Sequence, residues 1–299
     1  MITARTLRLG DDLVIDRVGY SAMHLTGRDI FGETEDPDHA VRLLRRAAEL
    51  GVNFIDAADP YGSGTNERIL HKALYPYPDD LVIRTRGGPR DRSRDSGGPL
   101  GRPPGHLRQL RRQVENSLRN LGLDRIDLYH LHHLGPSVPL GDQLGELARL
   151  RQEGKIRHIG LSAHPTADLD TLTQLCRCAG VVAVENGYNL ADRTSEPALR
   201  HAEQHGIAFV PRSPFDRGDL AGPANILDPI AADFGATAAQ LALAWLLHRS
   251  PVTLLVPGTT CAGHLEDNMR AADLKLTDAD LAEIVEHVDS LPPVLWRRA

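Results

Sequence analysis

The 299-residue sequence is poor in cysteine, has no long apolar run and shows no strong excess of one charge. Each shortage excludes something. Three thiols, Cys176, Cys178 and Cys261, cannot all pair, and Cys176-Arg177-Cys178 is spaced neither as a CxxC redox motif nor as half of a zinc site. A reducing, cytoplasmic setting is expected, with Cys176 and Cys178 serving helix packing. No stretch approaches the roughly 18 apolar residues of a spanning helix, and the opening segment has no apolar signal core. Neither a membrane partner nor secretion is expected. The formal net charge is −6 and the arginine-rich stretches are interleaved with acids, so no nucleic-acid footprint is evident. A small-molecule partner is the expectation that remains. A GxGxxG after the first strand is also missing, which argues against an open Rossmann sheet.

What is present is a regular alternation. Apolar segments end one after another in a polar or glycine residue, and helical patterns separate them. Strands are expected at 18–21, 54–56, 81–85, 126–132, 156–162, 181–185, 207–211 and 252–256. Helices are expected at 37–50, 67–74, 106–120, 144–152, 167–176, 196–205, 238–247 and 278–291. Eight units in strict alternation imply parallel pairing with right-handed crossovers, which permits closure. The predicted fold is an α/β (β/α)8 TIM barrel as one domain over 1–299, in keeping with the roughly 250 residues such a barrel needs. Two further strands at 6–9 and 13–15 flank Gly10-Asp11-Asp12, an N-terminal β-hairpin expected to plug the floor. The connection 87–105 is long, polar and rich in Gly, Pro, Arg and Asp. It reads as a lid or as a plain surface loop. The tail at 292–296 should cover apolar surface.

Alternation along a strand decides which side chains enter the barrel. Phe54 and Asp56 share a face, as do Arg84 with Arg86, Leu128 with His130 and His132, and Val181 with Ala183 and Glu185. The mouth therefore collects Asp56, Tyr61, Arg86, His132 and Glu185, groups that are costly to desolvate unless paired. A tyrosine five residues beyond the strand-ending Asp56 puts a proton donor beside a fixed charge where barrel enzymes carry out their chemistry. His130 reads as a packed core histidine. His130, His132 and His133 do not form a metal site, because only the first two share a face and no third ligand is spaced to join them.

On these grounds the chain resembles the aldo-keto reductase superfamily. The matching stretches are Gly51-Val52-Asn53-Phe54-Ile55-Asp56 through Tyr61-Gly62, Ile126-Asp127-Leu128-Tyr129-His130-Leu131-His132, Gly154-Lys155-Ile156-Arg157-His158-Ile159-Gly160-Leu161-Ser162, and Val256-Pro257-Gly258-Thr259-Thr260 with His264 to Asn268. The resemblance implies an NADPH-dependent oxidoreductase, NADH being the other possibility, that interconverts an aldehyde or ketone with an alcohol. Carried over, Tyr61 is the proton donor, Asp56 its charge partner and His132 the group that orients the carbonyl. Arg86 stands where the family has lysine. Ser162, Glu185, Arg212 and Ser213 fall at the nicotinamide end of the cofactor site, and Gly258, Thr259, Thr260, His264, Asp267 and Asn268 at the adenosine end. His24, Phe31 and Arg84 are the expected substrate contacts.

Four replacements cluster at the reactive end: Arg86 for lysine, Ala163 after Ser162 for the family's asparagine, Glu185 for glutamine, and Arg212 for a stacking aromatic residue. Arg84 lies one inward step below Arg86, where a small residue is usual, and is expected to compensate Glu185. Arg212 is either solvated or holds a substrate carboxylate or phosphate, making an anionic substrate one expectation. Two other functions fit the same barrel: a redox-neutral isomerase or lyase, and a non-catalytic barrel that binds a dinucleotide.

Overall fold

The computed structural model describes residues 4–26, 34, 36–87, 107–132, 138–162, 174, 177–222 and 225–290. Phe31, His133, Ala163 and Cys176 lie outside the described residues, as do the connection 88–105, nearly all of the helix expected at 167–176, and the tail 292–296.

Strands β1 (Thr6–Leu9) and β2 (Leu13–Asp16) form the expected antiparallel hairpin. It turns at Gly10, whose φ of 60° favours glycine. A Cβ there would also stand 2.5 Å from the His158 ring. Seven parallel strands follow, each hydrogen-bonded to its predecessor: β3 (Tyr20–Ser21), β4 (Phe54–Asp56), β5 (Val82–Gly87), β6 (Ile126–Leu131), β7 (Ile156–Ser162), β8 (Val181–Gly187) and β9 (Ala208–Arg212). Helices α1 (Pro37–Glu49), α2 (Thr65–Leu74), α3 (Leu107–Leu121), α4 (Leu140–Gln152) and α5 (Glu196–Gln204) lie between them. After β9 come α6 (Asp228–Asp233), α7 (Ala238–Arg249), α8 (Ala262–Arg270) and α9 (Asp278–Ser290). The Asp36 carboxylate accepts from the His39 amide at 2.8 Å and Pro37 opens α1, while Thr237 and Gln240 form a reciprocal capping box on α7.

The eighth segment departs from expectation. Residues 252–256 form no continuous strand but make single parallel bridges, Phe209 with Thr253 and Val18 with Leu255, followed by Ser21 with Gly258. Proline at 257 has no N–H to extend a ladder, and β3 offers only two residues to pair with. The bridges nevertheless join β9 to β3, and the chain is a (β/α)8 barrel with an N-terminal hairpin. Cys178 is exposed, so helix packing is not its role. No described helix is long and apolar enough to cross a membrane.

The lumen is layered. Its lower level is apolar: Phe54, Val82, Leu128, Ala183, Ala208 and Leu254 pack against Leu9, Leu13 and Ile15 of the hairpin. Asp12 fastens the hairpin to the start of β7, at 2.8 Å from Arg157 Nε and 2.6 Å from His158 Nε2. One alternation step higher along the same strands stand Asp56, Arg84, His130 and Glu185, all buried. The side-chain period of two thus sets a charged level directly on an apolar one.

Arg17 pins the closing seam. Its buried guanidinium donates to the carbonyls of Leu247 (2.6 Å), Ser250 (2.5 Å), Thr253 (3.0 Å) and Ala4 (3.2 Å). Burial pulls its pKa down to about 10, which leaves it charged at neutral pH. Replacing it strands several buried carbonyls at once. Arg17→Met is expected to cost about 3 kcal/mol or more in urea unfolding, since bonds to a charged donor contribute about 1.5–3 kcal/mol each. A loss below about 1 kcal/mol would show the seam holds without it.

Candidate active site

The charged level is a closed quartet of two guanidinium groups and two carboxylates. Strand register brings it about, since Asp56 pairs with Arg84 across β4 and β5, and Arg86 pairs with His130 across β5 and β6. Arg86 Nη2 donates to Asp56 Oδ2 at 2.6 Å, and Arg86 Nη1 donates to Glu185 Oε1 at 3.1 Å. The same Nη1 lies 3.1 Å from His132 Nε2. Arg86 therefore does not fork onto Asp56 but spans both acids. Arg84 completes the ring: Nη2 donates to Glu185 Oε2, and Nε lies 3.2 Å from Asp56 Oδ1. Ser21, at the end of β3, adds a 3.3 Å hydrogen bond to Asp56 Oδ2.

Arg84 was expected to meet substrate, and the structure corrects this. Its side chain is 0% exposed and its charge is engaged by Glu185 and Asp56. The expected pairing of Arg84 with Glu185 is present, and it explains how an arginine sits where the lumen is narrow. Burial by itself would push the Glu185 carboxyl up, but Arg86 and Arg84 outweigh it and hold the group well below its usual 4.5. Burial works against the charge on Arg86 as well, and the two carboxylates keep it protonated.

Tyr61 opens a short 3-10 turn, Tyr61–Gly64, beyond β4. The residue is 8% exposed, so the phenol is enclosed at the rim rather than standing in bulk water. Burial raises its pKa above 10, and among the neighbouring charges Arg86 acts most strongly, in the opposite sense. The phenol is thus protonated at neutral pH with a fixed cation beside it. His132 is less enclosed, and burial together with Arg86 lowers its pKa to about 4. It is a neutral donor or acceptor at the mouth. His130 is fully buried beneath it, and burial followed by Arg84 holds it uncharged. A Cβ at Gly160 would stand 2.3 Å from the His130 Nδ1, so a glycine on β7 makes room for that ring.

The other expected positions fall in two groups. Ser162 Oγ, at the end of β7 beside Glu185, is buried and has no hydrogen-bond partner among the described residues. Arg212 is exposed at the end of β9 and bears on His132 electrostatically, and Ser213 follows in a left-handed conformation, φ 57°. On the opposite side Thr259 is buried, its carbonyl accepting from Tyr20 Oη at 2.7 Å and its hydroxyl from the Cys261 amide at 3.1 Å. The Thr260 carbonyl lies 2.7 Å from His39 Nε2. His264 is exposed on α8, Asp267 lies 3.6 Å from Arg270, and Asn268 is buried. His24 stands beside Gly258, on the Thr259 side of the mouth. Ser21 and Arg84 were the residues whose place in the network sequence reasoning missed or misjudged. Ser21 ends an inward-facing strand, a signal that alternation supplies. Among the described residues no cluster of three or more histidine, cysteine or acidic groups could hold a metal.

A closed barrel thus gathers a buried phenol, a cation and a histidine at its mouth, and comparison with known proteins identifies its family. The family model described as "Aldo/keto reductase family" matches residues 17–289. An uncharacterised oxidoreductase of Schizosaccharomyces pombe is 41% identical over 283 residues, covering 95% of this chain and 90% of that protein. Pyridoxine 4-dehydrogenase of Escherichia coli is 39% identical over 290 residues, covering 95% and 98%. An aldo-keto reductase from Klebsiella pneumoniae, solved in complex with NADPH, superposes with a TM-score of 0.80 at 26% identity, covering 98% of this chain and 97% of that one. The chain belongs to the aldo/keto reductase family and is an oxidoreductase.

Breaking the quartet is expected to be expensive. Arg84→Met leaves Glu185 short of a partner in a closed space and should destabilise the fold by about 3–5 kcal/mol, the range for removing one member of a buried pair. Arg84→Met combined with Glu185→Gln should recover part of that loss, as read by a double-mutant cycle in urea. A double variant destabilised by the sum of the two single changes would mean that the two residues act independently.

Proposed function

We propose that this protein is an NADPH-dependent carbonyl reductase, running equally as an alcohol dehydrogenase, in which Tyr61 is the general acid and Arg86 takes the part of the family's lysine. One observation carries the reading: an enclosed, protonated phenol has a permanent cation as its most influential charged neighbour, and Asp56 fixes that cation in place. The relatives support the class. A pyridoxine 4-dehydrogenase is a dehydrogenase of this family, and NADPH is the ligand of the Klebsiella pneumoniae structure.

The residues present fit a dinucleotide. Ser162 Oγ is a buried polar atom awaiting a partner at the reactive end. At the other end α8 begins after Cys261 with no side-chain cap, so its first N–H groups are available to an anion, flanked by Thr259 and Thr260. His264, Asp267 and Asn268 would meet the adenosine portion, and Gly258 the turn into it. When bound, the reduced nicotinamide supplies a hydride to the carbonyl carbon. Tyr61 gives its hydroxyl proton to the carbonyl oxygen as negative charge develops there. Arg86 stabilises the phenolate that is left, and Asp56 with Glu185 hold the guanidinium still. His132, neutral at working pH, accepts from Arg86 at Nε2 and so has its Nδ1–H to donate to the carbonyl and orient it. Because arginine does not release its proton, it cannot relay one from solvent, and Tyr61 must be reprotonated through the mouth.

Arg212 favours an anionic substrate. The quartet beneath it is neutral overall, so among the described residues the exposed guanidinium on β9 is a charge that a ligand at this edge would meet. A carboxylate or phosphate on the substrate is the matching group.

Two measurements test the reading. Tyr61→Phe should lower kcat for NADPH-dependent aldehyde reduction by about 10²–10⁴-fold, the range for general acid catalysis, while dinucleotide binding persists. A variant retaining wild-type kcat removes the tyrosine from the mechanism. Arg212→Ala should raise KM about tenfold for a carboxylated aldehyde and leave a neutral one unchanged, since a charge-assisted hydrogen bond contributes about 1.5–3 kcal/mol. Equal effects on both aldehydes would exclude a substrate-anion role for Arg212.

A further inference from the structure

A second buried polar cluster lies on the other side of β5, behind the turn that carries Tyr61. Its centre is Glu67, in the first turn of α2 and 0% exposed. Thr85 lies on β5 between Arg84 and Arg86 and faces outward where they face inward. Its hydroxyl donates to Glu67 Oε1 at 2.6 Å. Asn120, at the end of α3, donates from Nδ2 to Glu67 Oε2 at 2.9 Å. The same Nδ2 lies against Gly64, the last residue of the Tyr61 turn: a Cβ there would be only 2.5 Å away. Gly64 in turn donates its amide to the Asp59 carbonyl at 2.7 Å, and its φ is 85°. The neighbouring Asn66 grips the front of the loop, accepting from the Ala58 amide at 3.2 Å and donating to the Ala22 carbonyl at 2.6 Å. The Ala57 amide donates to the Arg84 carbonyl at 2.8 Å.

We propose that Glu67 is a positioning residue for Tyr61, a buried carboxyl that ties the strand bearing Arg86 to the loop bearing the phenol and so sets the distance between proton donor and cation. The proposal rests on the reading of Tyr61 as general acid. Geometry gives its basis: Thr85 is one residue from Arg86, Asn120 touches Gly64, and Glu67 is the only group joining the two among the described hydrogen bonds. In the ionised form both carboxylate oxygens accept, which suits these two donors. Protonation turns one oxygen into a donor and forces a contact to break or rearrange.

The charge state is poised to matter. Burial pushes the Glu67 carboxyl up to about 7, hydrogen bonding with Ser117, Thr85 and Asn120 opposes the shift, and Asp59 adds to it. Tyr129 on β6 and Tyr77 beyond α2 are the other titratable groups that feel its charge, and burial keeps both phenols protonated. The sign follows from linkage: a folded pKa above 4.5 contributes stability at low pH that is lost as pH rises through about 7. The ionised form that fits the donors best is therefore the less stable one.

The test compares Glu67→Gln, which fixes the group neutral, and Thr85→Val, which removes one tether and leaves the carboxyl. Reduction of a neutral aldehyde by NADPH is followed across neutral pH. Both variants should lower kcat about tenfold or more, the scale of a small misplacement of a reacting group, with KM and NADPH affinity unchanged. In a Tyr61→Phe background neither should lower it further. The wild-type kcat should rise through an ionisation near 7, and Glu67→Gln should lose that inflection. If Glu67→Gln does not fold, Thr85→Val decides. If Tyr61→Phe abolishes turnover and both tether variants keep wild-type kcat and pH profile, only the positioning proposal is overturned. If Tyr61→Phe is fully active, the general-acid reading falls, and carbon-13 NMR of labelled tyrosine settles the tether without turnover. The Tyr61 signal should move with a midpoint near 7 in the wild type and not in Glu67→Gln, and a signal that does not move overturns the proposal.

Discussion

Charge neutrality inside a narrow, closed space is the constraint on which the site depends. Four charged groups on β4, β5 and β8 meet on adjacent levels of the lumen, and none would survive there alone, because removing a single charge from water costs several kcal/mol. Each arginine contacts both carboxylates, so the four compensate as a set and cannot be exchanged one at a time. Arg84, Arg86 and Glu185 make chemical sense only together: a buried acid needs a base, and a guanidinium wide enough to span two acids holds Asp56 and Glu185 both.

The set also fixes the character of the mouth above it. With its cation held by two carboxylates, Arg86 offers Tyr61 a steady but shared positive field, and burial keeps the phenol in its acid form. His132 remains neutral for the same combination of reasons. On the reading of Tyr61 as general acid, the groups at the rim would give a proton and a hydrogen bond without first changing charge state, which is the condition for preorganised electrostatic stabilisation. Behind them the Glu67 cluster uses the outward face of the same strand. One β-strand therefore faces two polar environments, arginines within and a threonine tether without, separated by the period of two.

Much of this was legible in the sequence, and the reasons are specific. The barrel and hairpin followed from apolar segments in strict alternation and from Gly10-Asp11-Asp12. The inward set Asp56, Arg86 and Glu185 followed from alternation alone. Alternation fixes direction but not depth, and so Arg84 was assigned to substrate when it lies sealed beneath the rim. The eighth strand was legible as an apolar segment, but its interruption was not, because it depends on the shortness of β3 and on Pro257. Glu67 gave no signal of its own: an acid in the first turn of a helix reads as a favourable partner of the helix dipole. Only the packing of α2 against α3 and β5 reveals that this acid is buried.

The N-terminal hairpin has a consequence for traffic. Leu9, Leu13 and Ile15 stopper the lower end of the lumen, and Asp12 clamps the stopper to β7. A barrel open at both ends could load one ligand from each side, whereas a cup has one doorway.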